Sequence, residues 1–283
     1  MKDQICMITG ANSGIGKATA LGLARRGATV VIVCRNRDRG EAALAEIKSA
    51  TGNPNVDLLL ADLSSQAEVR RLAEEFKSRY SHLHVLINNA GVALSKRSVT
   101  VDGIETVFAV NYLAPFLLTN LLLDVLKASA PARVVNVAGD YHRKATINFD
   151  DLMSEKDYNG MRANNQAKLA LILFTYELAR RLDGTGVTAN CLHPGAVATG
   201  GPLKDPDLSS FARMMYALVK PFFLSPEKGA ETSIYLASSP EVEGITGKYF
   251  VKKRAVASSP ESYDLDIARR LWEISAQLTG GKA

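Results

Sequence analysis

The chain is 283 residues long, with 47% hydrophobic and 22% charged residues: enough apolar material for a sizeable core, and too much for a disordered polypeptide. With 21 Gly, 10 Pro and 3 Cys it is neither collagen-like nor a disulfide scaffold. The formal charge of +5 comes from 34 basic and 29 acidic residues. These alternate along helix-period stretches such as Glu41 to Lys48 and Glu68 to Arg79, the pattern of solvated helix faces and not of a nucleic-acid footprint.

The best apolar run, Leu113 to Leu126, is broken by Pro115, Asn120 and Asp124, so no membrane span is expected. Cys6, Cys34 and Cys191 sit in apolar, strand-like contexts, cannot all pair and form no Cys-x-x-Cys, which points to a reducing, cytoplasmic setting. Cys191-x-His193 offers too few ligands for a metal, and no metal site is expected. Ile5 to Ile8 run straight into a glycine motif that needs them as a strand, so a signal peptide is not expected either.

In chain order, a strand over Ile5–Thr9 meets Gly10-Ala11-Asn12-Ser13-Gly14-Ile15-Gly16, which opens a helix over Ile15–Arg26. Glycines there let the backbone turn tightly and approach a pyrophosphate at a helix N-terminus. The next strand, Thr29–Val33, ends in Cys34-Arg35-Asn36 before a helix over Arg37–Ala50. Strand Val56–Leu60 is followed by Asp62-Leu63 and a helix over Ser65–Arg79. Strand Val85–Asn88 leads into Asn89-Ala90-Gly91, and helical spacing returns over Gly103–Leu126, which carries Asn111. Strand Arg133–Val137 runs into Ala138-Gly139-Asp140-Tyr141-His142. A helix over Arg162–Leu182 carries Asn164 and Lys168. Strand Val187–Leu192 precedes His193-Pro194-Gly195, with Thr199 shortly after, then a helix over Pro226–Ala237 and a last strand over Gly247–Val251.

Alternating strands and helices imply a doubly wound α/β fold: a mostly parallel, seven-stranded, Rossmann-like sheet with helices on both faces. The expected organisation is one dinucleotide-binding domain over residues 1–283. Within it, 202–224 reads either as an apolar substrate lid or as a helix packed on its own core, and 260–283 as an amphipathic helical tail.

The ordered set of Gly10/Gly14/Gly16, Asp62-Leu63, Asn88-Asn89-Ala90-Gly91, Asn111 and His193-Pro194-Gly195 with Thr199 resembles the short-chain dehydrogenase/reductase family over nearly the whole chain. Arg133 to Val137, Leu178 to Leu182, Gly184 to Val187 and Gly247 to Phe250 resemble its retinol-dehydrogenase-like branch. The resemblance implies that Gly10, Asn12, Ser13, Gly14, Ile15 and Gly16 cradle the pyrophosphate, that Asp62 and Leu63 meet the adenine, and that Asn89, with Ala90 and Gly91, meets the nearby ribose. It implies that Lys168 grips the nicotinamide ribose, with Pro194, Gly195 and Thr199 around the nicotinamide. It also implies a small hydrophobic substrate and a homo-oligomer built through long helices, unless the tail covers that surface. The second strand ends without a carboxylate, and Arg35 offers a planar fork suited to a 2′-phosphate, which favours NADP(H) over NAD(H).

In that family a Ser, a Tyr and a Lys do the chemistry, helped by an Asn. Here Asn111 and Lys168 stand in place, but Asn164 occupies the tyrosine position and Gly139 the serine position. An amide neither gives nor takes a proton near neutral pH. Tyr141 and His142, just past the lost serine, are candidate substitutes, each weighed against an ordinary loop or packing role. Three functions stay open: an oxidoreductase with a non-standard proton donor, a non-redox catalyst such as an isomerase, dehydratase or cyclase, and a catalytically silent NADP(H)-binding protein.

Overall fold

In β1 (Ile5–Thr9) and the Val- and Ile-rich β2 (Thr29–Cys34) all but the first residues are buried, as expected of central strands covered on both faces. The computed structural model describes residues 1–198, 205 and 207–280. The further strands are β3 (Val56–Leu60), β4 (Val85–Asn88), β5 (Ala132–Val137), β6 (Val187–His193), β7 (Tyr249–Val251) and β8 (Arg254–Val256). They form one sheet in the order β3-β2-β1-β4-β5-β6-β7-β8, parallel except for β8. The doubly wound α/β fold is therefore as expected, with eight strands in place of seven. The extra strand pairs antiparallel with β7 around Lys252 and Lys253, whose φ values are +49° and +65°. Such hairpin turns normally announce themselves by Asn or Gly, so two lysines give no signal in the sequence.

Helices α1 (Gly14–Ala24), α2 (Arg37–Thr51), α3 (Gln66–Arg79), α4 (Thr106–Phe108), α5 (Ala114–Leu121), α6 (Leu123–Ala128), α7 (Gly160–Arg181), α8 (Ser210–Val219), α9 (Pro226–Ser238) and α10 (Leu265–Leu278) surround the sheet. Strand alternation divides the core. Cys6, Ile8, Val30 and Ile32 pack with Leu23, Ile47 and Leu236 of α1, α2 and α9. Met7, Val31 and Val33 belong to the opposite layer, with Leu72, Phe116 and Leu173 of α3, α5 and α7. None of the helices, among the described residues, is long and apolar enough to cross a membrane.

The single helix expected over 103–126 is instead broken. Pro115 has no N–H for the Asn111 carbonyl, and its ring crowds that carbonyl. The turn Ala109–Leu113 accordingly widens to a π-helical one, with the Ala114 N–H on the Ala109 carbonyl. Asn111 lies in this widened turn, a kind of irregularity that often marks functional positions.

The tail helix α10 closes over α5 and α7. The Trp272 ring packs edge-on against Phe116 at 5.0 Å and stacks on Phe174 at 5.7 Å, with the Arg181 guanidinium 4.1 Å from its centroid. Tyr112 Oη and Ser275 Oγ share a 2.6 Å hydrogen bond between α10 and the widened turn. Trp272→Ala removes the centre of this cluster. It should cost about 3–5 kcal/mol of stability in urea denaturation; a loss below about 1 kcal/mol would show that α10 is not part of the cooperative core.

Candidate active site

Strand order reverses between β1 and β4, so the loops leaving their carboxyl ends part and open a crevice. A polar clasp joins them at its base. Thr9 Oγ1 accepts from the Asn89 and Ala90 N–H groups at 3.0 and 3.1 Å, and Asn89 Nδ2 donates to the Thr9 carbonyl at 2.8 Å. The Asn89 side chain, expected beside a ribose, is thus also a structural tie.

Above the clasp lies a cleft of about 610 Å³. Gly10, Asn12, Ser13, Gly14, Ile15 and Gly16 line one end. A Cβ on Gly16 would stand 2.4 Å from the Gly10 carbonyl oxygen and 2.5 Å from Asn89 Nδ2. Gly10 has φ +66°, and a Cβ there would press on Ala90 Cα at 2.9 Å. These two glycines let the turn, the helix start and the β4 loop come together.

Arg35, Asp62, Leu63, Ala90, Gly91, Lys168 and Pro194 also line the cleft, as the sequence suggested. Arg35 stands just before the Asn36 cap of α2, largely exposed, and its guanidinium lies 3.5 Å from the Asp62 carboxylate. Burial acts to raise the Asp62 carboxyl, but hydrogen bonds from Ser64 and the Arg35 charge outweigh it and hold it below the ordinary carboxylate value. Arg39, one helical turn on, lines the same mouth; its position in the cluster Arg35, Arg37 and Arg39 was the available sequence signal. Gly195 is not among the lining residues: its φ is +90°, and a Cβ there would meet Leu224 Cδ1 at 2.6 Å. Thr199 and part of the 202–224 segment lie outside the described residues.

At the other end, Lys168 Nζ donates to the Val137 carbonyl at 3.0 Å. Burial pushes its ammonium down to about 8. No carboxylate forms an ion pair with it among the described residues, and an ammonium has two further protons to offer the cleft. A Cβ on Gly91 would lie 3.3 Å from Asn111 Oδ1 and 3.8 Å from Lys168 Nζ, so these two groups converge over Gly91.

Val92, a residue sequence reasoning passed over, orients the amides. Its N–H donates to Asn111 Oδ1 at 2.8 Å, and its carbonyl accepts from Asn111 Nδ2 at 2.9 Å. With Asn111 so fixed, its Nδ2 donates to Asn164 Oδ1 at 3.2 Å. Asn164 Nδ2 therefore faces away from Asn111 and makes no hydrogen bond among the described residues. Asn164 and Lys168 lie four residues apart on one face of α7.

The structure does not bring Tyr141 or His142 to the cleft. Both lie on a 3-10 turn, Asp140–Lys144. Tyr141 is 59% exposed. His142 is fully buried, its Nδ1 2.8 Å from the Gly139 carbonyl and its ring edge-on to Tyr249 at 4.9 Å. Burial, outweighing the Gly139 bond, pushes its imidazole below the ordinary histidine value. No side chain fills the Gly139 position, where a Cβ would meet only Tyr141 Cδ2, at 3.8 Å.

A doubly wound sheet with a glycine-lined helix start at its switch point and a lysine at the opposite end defines a dinucleotide-fold protein of the dehydrogenase type. The short chain dehydrogenase family pattern matches residues 4–204, and the chain belongs to that family. It is 45% identical to retinol dehydrogenase 12 of Mus musculus over 278 residues, 98% of this chain and 86% of that protein. It is 44% identical to retinol dehydrogenase 14 of Homo sapiens over 296 residues, 99% and 87% of the two chains. Among solved structures, an uncharacterised protein from Mycobacterium paratuberculosis superposes with a TM-score of 0.79 at 33% identity, covering 99% and 95%. The RhlG/NADP active-site complex of Pseudomonas aeruginosa gives 0.71 at 26% identity, covering 93% and 97%.

Gly16→Ala forces the helix start off the Gly10 turn. It should lower stability by about 1–3 kcal/mol in urea denaturation; unchanged stability would mean that the close approach is not required.

Proposed function

We propose that this chain is an NADP(H)-dependent oxidoreductase of hydrophobic carbonyls and alcohols in which an amide and a lysine stand in for the usual phenol and hydroxyl. The observation that carries this reading is the relay Val92–Asn111–Asn164, which spends Asn164 Oδ1 on Asn111 and leaves its Nδ2 without a hydrogen bond among the described residues, one helical turn from the cleft-lining Lys168.

A dinucleotide fits the residues present. The glycine-lined turn at the start of α1 suits a pyrophosphate. Arg35 and Arg39 at the mouth suit a 2′-phosphate, with Arg35 exchanging its contact to Asp62 for the phosphate. Asp62 and Leu63 would take the adenine, and Lys168, Pro194 and Thr199 the nicotinamide end. When bound, the reduced nicotinamide supplies hydride to the carbonyl carbon.

The chain's own residues handle the oxygen. Asn164 Nδ2 donates a hydrogen bond to it and stabilises the charge that develops there. Lys168 delivers the proton, its acidity matched to neutral pH by burial. Asn111 is a positioning residue that holds Asn164 in the required orientation. Tyr141 and His142 have no part in this proton transfer. Val110, Leu94 and Val92 give the cleft an apolar wall, and the segment 202–224 acts as its apolar cover. Retinol dehydrogenases at 45% and 44% identity support an isoprenoid aldehyde or alcohol as the first substrate class to test.

One observation favours a second reading. Neither Gly139 nor Asn164 can exchange a proton, Tyr141 is largely exposed, and the Tyr249 hydroxyl is spent on the Gly139 carbonyl at 3.2 Å. That pattern also suits a non-redox reaction in the same cleft, such as an isomerisation or dehydration.

Titration with NADPH, followed by its absorbance as retinal and other hydrophobic aldehydes are added, separates the two. Tight binding with loss of absorbance supports the oxidoreductase, whereas binding without loss supports the non-redox or a silent site. Arg35→Ala should weaken NADPH at least about tenfold while leaving NADH nearly unchanged; equal losses would refute the phosphate assignment. The Lys168 ammonium is complete below about pH 7 and lost as pH rises through about 8. Reduction, measured as kcat/KM, should therefore fall above about pH 8 and alcohol oxidation should rise there. The same profile in Lys168→Met would exclude Lys168 as the proton carrier.

A further inference from the structure

Lys168 is the one lysine among the described residues that line the cleft. Its Nζ has a single protein partner, the Val137 carbonyl at 3.0 Å, and no carboxylate pairs with it among the described residues. The neighbouring wall is formed by Val137, Ala138 and Gly91, which bring neither an acid nor a competing nucleophile. Asn164 lies on the same helix face with its Nδ2 in no hydrogen bond among the described residues, and at Gly139 a Cβ would make only van der Waals contact with Tyr141 Cδ2, at 3.8 Å. A desolvated amine without a counter-ion, held in an open cleft beside an oxyanion donor, is the arrangement of a nucleophilic lysine.

We propose that Lys168 captures hydrophobic aldehydes covalently as a reversible imine, an activity of this cleft that needs no hydride. The Nζ lone pair attacks the carbonyl carbon, a C–N bond forms and the π electrons move to the oxygen, to which the Asn164 amide donates a hydrogen bond. Nitrogen gives up its protons to that oxygen, the C–O bond breaks, and water leaves as C=N forms. Aldehyde and amine become imine and water, with nothing oxidised or reduced, and water reverses the step. Burial that lowers the ammonium supplies free amine at neutral pH, where exposed lysines have almost none.

The inference rests on the reading of the cleft as a hydrophobic-carbonyl site but not on hydride transfer, so its test omits nucleotide. The protein is incubated at pH 7 with decanal and sodium cyanoborohydride, digested with trypsin and mapped by mass. Alkylation of Lys168 blocks cleavage there and yields one intact peptide, residues 163–180, carrying the decyl group. Labelling of that peptide should exceed that of any exposed lysine, such as Lys96, by at least about tenfold. In Lys168→Arg the dominant adduct should disappear from the intact mass. Absence of the 163–180 adduct, or labelling spread evenly over exposed lysines, would overturn the proposal. The wild-type map decides even where the variant fails to fold. A cleft that labels Lys168 yet neither binds nor oxidises NADPH would sink the oxidoreductase reading alone. NADPH turnover without the adduct would sink the imine alone.

Discussion

The clasp between Thr9 and Asn89 is the constraint on which the site depends. At the switch point two parallel strands send their chains to opposite faces, and nothing in the ladder itself holds the departing loops together. Thr9 Oγ1 accepts two backbone N–H groups of the β4 loop, and Asn89 returns a donor to the β1 carbonyl. The crevice is thereby fixed in width at its base while its walls diverge. Gly10 and Gly16 can crowd the clasp only because they lack side chains. The helix start, the Arg35 mouth and the Gly91 floor all take their positions from this join.

A second layer of buried amides continues the same logic under the catalytic end. Asn88 Nδ2 donates to Asn136 Oδ1 at 2.8 Å and to Thr119 Oγ1 at 3.1 Å, and Asn136 Nδ2 donates to Thr175 Oγ1 at 2.9 Å. This network ties β4 and β5 to α5 and α7 inside the apolar core, where unpaired polar groups are costly and paired ones specify one arrangement. Lys168 projects from α7 just above it. The helix that carries the lysine is thus held from below by hydrogen bonds and from outside by the Trp272 cluster. In the proposed function, an amide at 164 would direct a hydrogen bond but hold no exchangeable acid, so acid–base work would fall to the desolvated lysine.

The cleft also has a latch on its far side. Asp205, almost wholly buried and lining the cleft, accepts from the Ser95 N–H at 2.8 Å, and Lys96 pairs with Asp207 at 2.7 Å. These contacts join the loop after β4 to the segment leading into α8. That helix leaves Met214, Met215 and Leu218 exposed, with Phe222 just beyond it.

Much of the fold and of the cofactor end was legible in the residues. Short continuous apolar, β-branched runs marked strands, 3.6-period runs marked helices, and their alternation dictated a mostly parallel sheet. Glycine spacing located the helix-start cradle, because close backbone approach is a local requirement that only glycine meets. Asn164 and Gly139, where the resemblance leads one to expect Tyr and Ser, stood out as readily, since each is a single position in a helical or strand register. What the linear chain concealed depends on distant groups meeting. The Lys252-Lys253 hairpin adds a strand because of pairing with β7, not because of its turn residues. Tyr141 and His142 stood next to the lost serine in sequence, but a 3-10 turn leaves one largely in solvent and seals the other against Tyr249. The orientation of Asn164 is set by the backbone of Val92 through Asn111. The sequence by itself determined the class of fold and the glycine-lined start of α1, because those follow from local periodicity and residue identity. Only the tertiary structure decided which groups share the cleft and how acidic Lys168 is, because desolvation and amide orientation arise from packing between segments far apart in the chain.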